Sequence, residues 1–262
     1  MIRKCAVLGA GNIGTAVTHA LLGGDCEVVL WNRGKKRLDS FGEFDRLAKT
    51  TDLRNAVNGA DVVFVCVESP AVLEVIDSAG DALSGTMALV SCAASVGLSA
   101  LADTVNRYSA QTGVARILPN IAATVGHSVN LFCSVGLNSG KETQVLELCK
   151  SLGPVYKLNE ADFAAGMALS SCGIAYVARY IRAFMSAGVQ MGLSASVSKE
   201  LAMMAMEGTV ALLDASAGEH PEVLVDKVCT PGGVTVAGLN KMEECGFSAA
   251  VIQGLLAAAR KV

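Results

Sequence analysis

KCAVLGAGNIGTAVTHALL, residues 4–22, decides how the rest of the chain is read. Its first five residues form an apolar β-run. Gly9-x-Gly11-x-x-Gly14 follows at once, and an amphipathic helical pattern opens at Ile13. A lone GxGxxG is a weak signal, but one that ends a strand and opens a helix has the context a dinucleotide cradle needs. Gly9 permits a tight turn, Gly11 lets a pyrophosphate approach the backbone, and Gly14 lets helix and strand pack closely. The phosphates then meet free N–H groups at the helix start. Asn12 and Ile13, the first residues beyond the turn, join the three glycines as candidate cofactor contacts.

The alternation continues downstream. CEVVLW (26–31), DVVFVCV (61–67), TMALVSC (86–92) and VARILPN (114–120) read as buried strands, separated by helical stretches such as 13–22 and 69–82. NLFCSV (130–135) and GPVYKL (153–158) read as added edge strands. Strands alternating with helices at this spacing predict a doubly wound, mostly parallel Rossmann sheet over residues 1–158. After Asn159 the texture changes. Residues 160–188 are helical in pattern and free of proline, and 196–216 form a second long helix with Ser194 or Ser196 as its N-cap. These helices are apolar on more than one face. Residues 159–262 are therefore expected to be an all-α domain that packs on a second subunit.

Composition bounds the function. With 52% hydrophobic and 17% charged residues over 262 positions, the chain has ample core for one large or two modest domains. A net charge of -3, with no basic stripe, gives no case for nucleic acid. The nine cysteines are scattered singly, without a C-x-x-C, and read as reduced thiols of a reducing compartment. Three histidines far apart give no metal-ligand spacing. Arg3 and Lys4 precede an apolar run, but Gly9, Gly11, Asn12 and His19 break it up as a signal peptide. The uncharged residues 85–102 are studded with Ser, Gly and Thr, which suits a buried strand and turn better than a membrane span. The expectation is a cytoplasmic protein.

An NAD-binding unit usually ends its second strand in Asp or Glu, for the ribose 2′-hydroxyl. Here that strand runs into LWNRGKKR (30–37), with no acid before Asp39. Asn32, Arg33 and Lys36 are the candidates at this end. A guanidinium meets a 2′-phosphate bidentately where a carboxylate would repel it. NADPH is favoured and NADH remains possible, with solvated surface charge as the competing account of the basic run.

VCTPGGVTVAGLNKME, residues 228–243, is the second informative stretch. A helix starting after TPGG would present unpaired N–H groups at Gly233, Val234 and Thr235, a carboxylate site without an arginine. The Thr235 hydroxyl would stand beside the bound group as donor or acceptor. Taken alone, a proline–glycine turn with a capping threonine explains the segment as well.

The longer run 220–259 resembles the C-terminal signature of the pyrroline-5-carboxylate reductase family. Asp226, Val228, Thr230, Pro231, Gly232, Gly233, Thr235, Gly238 and Leu239 meet its pattern. GADVVFVCV (59–67), VSCAA (90–94), RILPNIAATVG (116–126) and AYVARYIRAFMSAGVQMGL (175–193) fall in the family's order. The resemblance implies hydride transfer from NAD(P)H to the C=N carbon of a cyclic imine acid, giving L-proline. It also implies helical domains interlocked in a homodimer, often within larger rings. By the same resemblance, Thr235 would hydrogen-bond the imine nitrogen. The backbone of Val228, Cys229, Thr230, Gly232, Gly233, Val234 and Thr235 would hold the carboxylate. Val67 and Ala93 would lie near the nicotinamide, with Pro119 and Asn120 shaping the pocket. A preformed iminium needs no strong acid from the protein. The chain departs from the usual pattern at Leu53, Glu68, Ser95, Ile121, Ile174, Lys227 and Cys229. A reductase of another cyclic imine and a non-catalytic NADP(H)-binding sensor are the alternatives. A β-hydroxyacid dehydrogenase would need a lysine on the long helix, and none occurs between Lys157 and Lys199; a short-chain dehydrogenase would need Tyr-x-x-x-Lys, which is absent.

Overall fold

A computed structural model describes residues 2–85, 87–216 and 218–261. Thr86, which opens the TMALVSC run, lies outside the described residues, as do Met1, Ala217 and Val262. The chain divides into two compact units, one ending at Ser171 and the other Cys172–Lys261.

The first unit alternates strand and helix: β1 Lys4–Leu8, α1 Asn12–Leu22, β2 Glu27–Trp31, α2 Lys35–Asp39, β3 Leu47–Thr50, α3 Leu53–Val57, β4 Val62–Val65, α4 Val72–Ala79, β5 Ala88–Ser91, α5 Leu98–Asn106 and β6 Gly113–Leu118. Then come β7 Asn130–Val135, α6 Ser139–Cys149, β8 Val155–Lys157 and α7 Phe163–Met167. The eight strands form one sheet in the order β3-β2-β1-β4-β5-β6-β7-β8, parallel except where β7 runs against β6. Period-two alternation sends strand residues to two cores. Cys5, Val7, Val62 and Phe64 pack beneath α1 and α6, while Ala6, Leu8, Val63 and Val65 pack beneath α3, α4 and α5. With both faces covered, these strands have to be continuously apolar.

Two edge assignments change. NLFCSV is internal, because β7 pairs with β6 on one side and β8 on the other. Buried Asn130 secures that seam, donating to the carbonyls of Ser128, Gly153 and Pro154. The edge opposite β8 is β3, LAKT, a short and partly exposed strand without an apolar signature.

Residues 160–190 are helical throughout, with a π turn at Ala168–Cys172. Their first turns belong to the first unit, where Phe163 packs with Leu118, Leu131 and Cys133. This is why the compact unit ends at Ser171 although the helical texture begins near Asn159.

The second unit comprises α8 Gly173–Gln190, α9 Ala195–Ala215, α10 Pro221–Val228, α11 Val234–Glu244 and α12 Phe247–Ala259. Ser194 caps α9, accepting from the Val197 N–H. α8 and α9 pass closest where a Cβ on Gly188 would sit 2.4 Å from Ser198 Oγ. Among the described residues of this unit only Gly188, Ser198 and Ala202 are buried. Tyr176, Tyr180, Phe184, Met206, Val210 and Phe247 line an apolar groove of about 480 Å³.

Candidate active site

At Gly9 and Gly14 the turn has the tight geometry that its spacing predicts. Gly9 has φ +114°, a conformation L side chains rarely adopt, and a Cβ there would meet Cys66 O at 2.8 Å. On Gly14 a Cβ would stand 1.8 Å from Gly9 O, so only a glycine lets α1 start this close to the strand. Gly11 is different. Its added Cβ would touch only Arg37 Nη1, at 3.6 Å, and otherwise enter open space. No side chain caps α1, whose N-cap is Gly11, so its first amides face outward. The turn is pinned by the Gly9 N–H on Trp31 O at 2.8 Å and the Ala10 N–H on Asn32 Oδ1 at 3.1 Å.

This turn floors a cleft of about 630 Å³. Gly9, Gly11, Asn12, Ile13, Asn32, Val67 and Ala93 line it, and Gly14 shapes its turn from behind. Arg33, Lys36 and Pro119 do not line it. Arg33 instead pairs with Glu74 across 3.2 Å, both side chains largely in solvent. The cation that overhangs the turn is Arg37, inside the short helix α2. Neither β2 nor its exit supplies a carboxylate to the cleft, although Glu68 enters from the other wall. An arginine over a glycine-lined helix start is a cradle for a phosphorylated nucleotide.

Behind Ala93 and Ala94 lies an anchor that sequence reasoning missed. Buried Arg116 donates from Nη2 to Ala94 O at 2.6 Å and from Nη1 to Glu160 Oε1 at 2.7 Å. The same Glu160 oxygen accepts the Leu98 N–H, and Phe163 lies under the guanidinium with its centroid 4.9 Å away. The wall of the cleft is thereby fastened to the first turn of the helical run. Cys66, Glu68, Ser69, Ala71, Cys92 and Ala94 also line the cleft and were not singled out from sequence as contacts; they follow β4 and β5, so the strand ends were the available signal.

Asn120 is used internally. Its Oδ1 accepts the Ala122 N–H, its Nδ2 donates to Ser170 O, and the residue is buried. It shapes the loop after β6 with both ends of its amide.

In the second unit, the chain from Val228 to Thr235 leaves α10 and enters α11 through a tight turn. Gly232 has φ +69°, and a Cβ on Gly233 would lie 2.5 Å from Thr230 Oγ1, so both glycines are required. The Gly233 N–H is taken by Thr230 O at 2.9 Å, which removes it from the expected set of free amides. No side chain caps the helix beyond it. Val234 is 91% exposed, and among the described residues the half-buried Thr235 hydroxyl has no hydrogen-bond partner. Val228 and Thr230 are also exposed and Cys229 is half buried. Lys227 pairs with Glu219 at 3.0 Å.

Comparison with known proteins bears on both sites. A family model described as pyrroline-5-carboxylate reductase dimerisation matches residues 160–262, and one described as NADP oxidoreductase, coenzyme F420-dependent, matches residues 4–95. A pyrroline-5-carboxylate reductase of Kluyveromyces lactis is 32% identical over 212 residues, covering 80% of this chain and 72% of that protein. The chain belongs to the pyrroline-5-carboxylate reductase family. Another member, from Corynebacterium melassecola, is 29% identical over 97% of this chain and 95% of its own length. The fold agrees. A Plasmodium falciparum pyrroline carboxylate reductase solved with NADP bound superposes with a TM-score of 0.87 at 23% identity, over 99% of this chain and 96% of that one. As in the family, a mostly parallel sheet with helices precedes an all-helical region.

Proposed function

We propose that this reductase transfers a hydride from NADPH to the C=N carbon of 1-pyrroline-5-carboxylate, giving proline. The observation that carries the reading is the joint presence, in a member of this family, of the Gly9–Gly14 cradle under Arg37 and the open Gly232–Thr235 turn. Bound NADPH supplies the hydride. The chain's own groups bind and orient. The α1 amides take the pyrophosphate, where Gly11 leaves room. Arg37 is the group we assign to the 2′-phosphate, in place of Arg33; NADH, lacking that phosphate, is expected to bind more weakly.

The amides of Val234 and Thr235 are assigned to the substrate carboxylate, a charge that a helix start favours. Thr235 Oγ1 is assigned to the imine nitrogen. The imine is protonated before attack, so a hydroxyl that orients it is sufficient and no side chain has to deliver a strong proton. Val67 and Ala93 are assigned to the nicotinamide side, the latter held by Arg116 through the neighbouring Ala94 carbonyl.

The chain functions as a homodimer, a second copy covering the apolar groove of the helical unit. The helical run Glu160–Gln190 is long and apolar enough to cross a membrane. It also carries Arg179 and Arg182, and we assign its apolar face to the partner helices in a cytoplasmic enzyme. The test is direct. Purified protein mixed with NADPH and pyrroline-5-carboxylate should consume the reduced cofactor, followed by its absorbance. Cofactor binding without consumption would support a sensor, and faster turnover of the six-membered piperideine carboxylate would support the other imine reductase.

A further inference from the structure

Two cysteines of the cleft carry chemistry that hydride transfer does not use. Cys66 directly follows β4 and Cys92 directly follows β5, neighbouring parallel strands whose register pairs Val65 with Ser91. The next step of that register sets Cys66 beside Cys92. Adjacent strands run about 4.8 Å apart, inside the ~4.4–6.8 Å between Cα atoms that a disulfide spans. The sulfurs already touch, Cys66 Sγ donating to Cys92 Sγ at 3.4 Å. Both residues are half buried and both line the cleft, which is the side from which a small oxidant would approach them. Cys5, Cys26, Cys133 and Cys149 are sealed in the core by contrast.

We propose that Cys66 and Cys92 form a reversible dithiol–disulfide site for two-electron oxidants of the peroxide class, and that its oxidation opposes cofactor binding. The first part stands on the two sulfurs alone; the second rests on the reading of the cleft as the cofactor's. The hydrogen bond to Cys92, together with burial, pushes the Cys66 thiol well up. Cys66 holds its proton in the hydrogen bond to Cys92, and by that geometry Cys92, the acceptor, is assigned as the attacking sulfur. Cys92, losing its proton as it reacts, attacks one peroxide oxygen, the O–O bond breaks, and Cys92 becomes a sulfenic acid while the departing hydroxide takes up the proton that Cys92 released, leaving as water. The Cys66 sulfur then displaces the sulfenic oxygen, which departs as water with the Cys66 proton. In sum two thiols and one hydrogen peroxide give one disulfide and two waters.

The glycine turn rests on Cys66. Cys66 O lies 2.8 Å from the position of a Cβ on Gly9, and Cys66 Cβ lies 3.2 Å from that of a Cβ on Gly14. A sulfur–sulfur bond is about 2.05 Å long. Closing the present gap moves the residue against which the phosphate turn packs, while a nucleotide already seated in the cleft blocks the oxidant.

The experiment treats the whole chain with hydrogen peroxide at neutral pH, with and without NADPH, and maps peptides by mass without reduction. The expected product is the Cys66 peptide joined to the Cys92 peptide, two hydrogens lighter and restored by dithiothreitol. NADPH at about ten times its Kd should slow its formation about tenfold. The oxidised protein should bind NADPH at least about tenfold more weakly by fluorescence titration. Cys66→Ser and Cys66→Ala should both lose the cross-link and carry Cys92 on to sulfinic acid. Thiols left intact, or a link from either cysteine to a different one, overturn the site. A Cys66–Cys92 link with unchanged NADPH affinity overturns the opposition to cofactor. Should the reduced protein bind no NADPH at all, the cofactor reading fails while the mass result still decides the dithiol site.

Discussion

Alanine at Gly14 and alanine at Gly11 should fail in opposite ways, and the geometry gives the size of each failure. On Gly14 the new methyl would stand 1.8 Å from Gly9 O and 3.2 Å from Cys66 Cβ. Carbon and oxygen approach to about 3.3 Å, so the start of α1 must withdraw about 1.5 Å from the turn. Overpacking against unyielding neighbours costs up to about 3 kcal/mol, and in a chain of this size that lowers Tm by about 6–12 °C. At Gly11 φ is -79° and ψ -173°, a conformation open to alanine, and the methyl has only Arg37 Nη1 near it. The loss of a glycine N-cap costs about 0.5–1 kcal/mol and the stiffer unfolded chain returns about as much. Gly11→Ala should therefore melt within about 2 °C of the parent. Its defect appears only with nucleotide. NADPH at about 100 times Kd stabilises the parent by about 2.7 kcal/mol, and in Gly11→Ala that gain should vanish, because the methyl occupies the pyrophosphate's approach. Thermal melts of the three proteins with and without NADPH make the comparison. A Gly14→Ala protein that melts with the parent, or a Gly11→Ala protein that keeps the whole NADPH-induced shift, refutes this account of the turn.

Further outcomes separate the remaining roles. Arg37→Glu should move the kcat/KM preference from NADPH toward NADH by about 10–100-fold, the worth of a charge-assisted hydrogen bond, whereas Arg33→Glu should move it by less than about threefold; equal shifts would place both arginines on the phosphate. Thr235→Ala should lower kcat about 10–100-fold with the NADPH-induced melting shift intact, and Thr235→Ser should restore most of the rate. Glu160→Gln strands the guanidinium of Arg116 in the core and should cost about 3 kcal/mol, toward the low end for a broken buried pair because Glu160 is itself partly exposed; Arg116→Met added to it should recover stability, as calorimetry would show. Lys157, and next Ser134, hold the Glu142 carboxyl below its ordinary value. A lowered carboxylate stabilises fully above its unfolded pKa, near 4.3 or roughly so, and loses that contribution as pH falls through the folded value. Glu142→Gln should accordingly flatten the acid limb of Tm against pH and leave the neutral region parallel to the parent.

Much of the fold was legible because both faces of the sheet are covered. Strands such as DVVFVCV and TMALVSC must then be apolar without a break, and such runs are visible in a sequence. LAKT was not, since β3 is an edge whose Lys49 reaches out to Phe41 O and Glu43. NLFCSV was legible as a strand but not as an interior one, because its partner β8 is only three residues long and is recruited by buried Asn130. At the site, the glycines could be assigned residue by residue, since their spacing carries the geometry. Which cation stands over the turn could not. The run Arg33 to Arg37 enters a helix at Lys35, and helical phase, not charge, decides which cation overhangs the turn. Asn120 was placed near the pocket by resemblance alone, and nothing in the sequence signals that its amide is engaged by Ala122 and Ser170. The expected amide at Gly233 was lost to a main-chain turn, its N–H taken by the Thr230 carbonyl. Cys66 and Cys92 escaped notice because neighbours across a parallel sheet are separated by a whole crossover helix in the chain.

The second unit buries only Gly188, Ser198 and Ala202 among its described residues. A helical hairpin closed by such small groups can find its own register, but it removes too little oil from water to outweigh the entropy of its five helices. Maturation of this chain is then a bimolecular event. The newly made carboxyl-terminal third should stay loosely organised until another copy arrives, and the yield of mature protein should then rise more steeply than in proportion to synthesis. A damaged copy can also spoil a sound one by pairing with it.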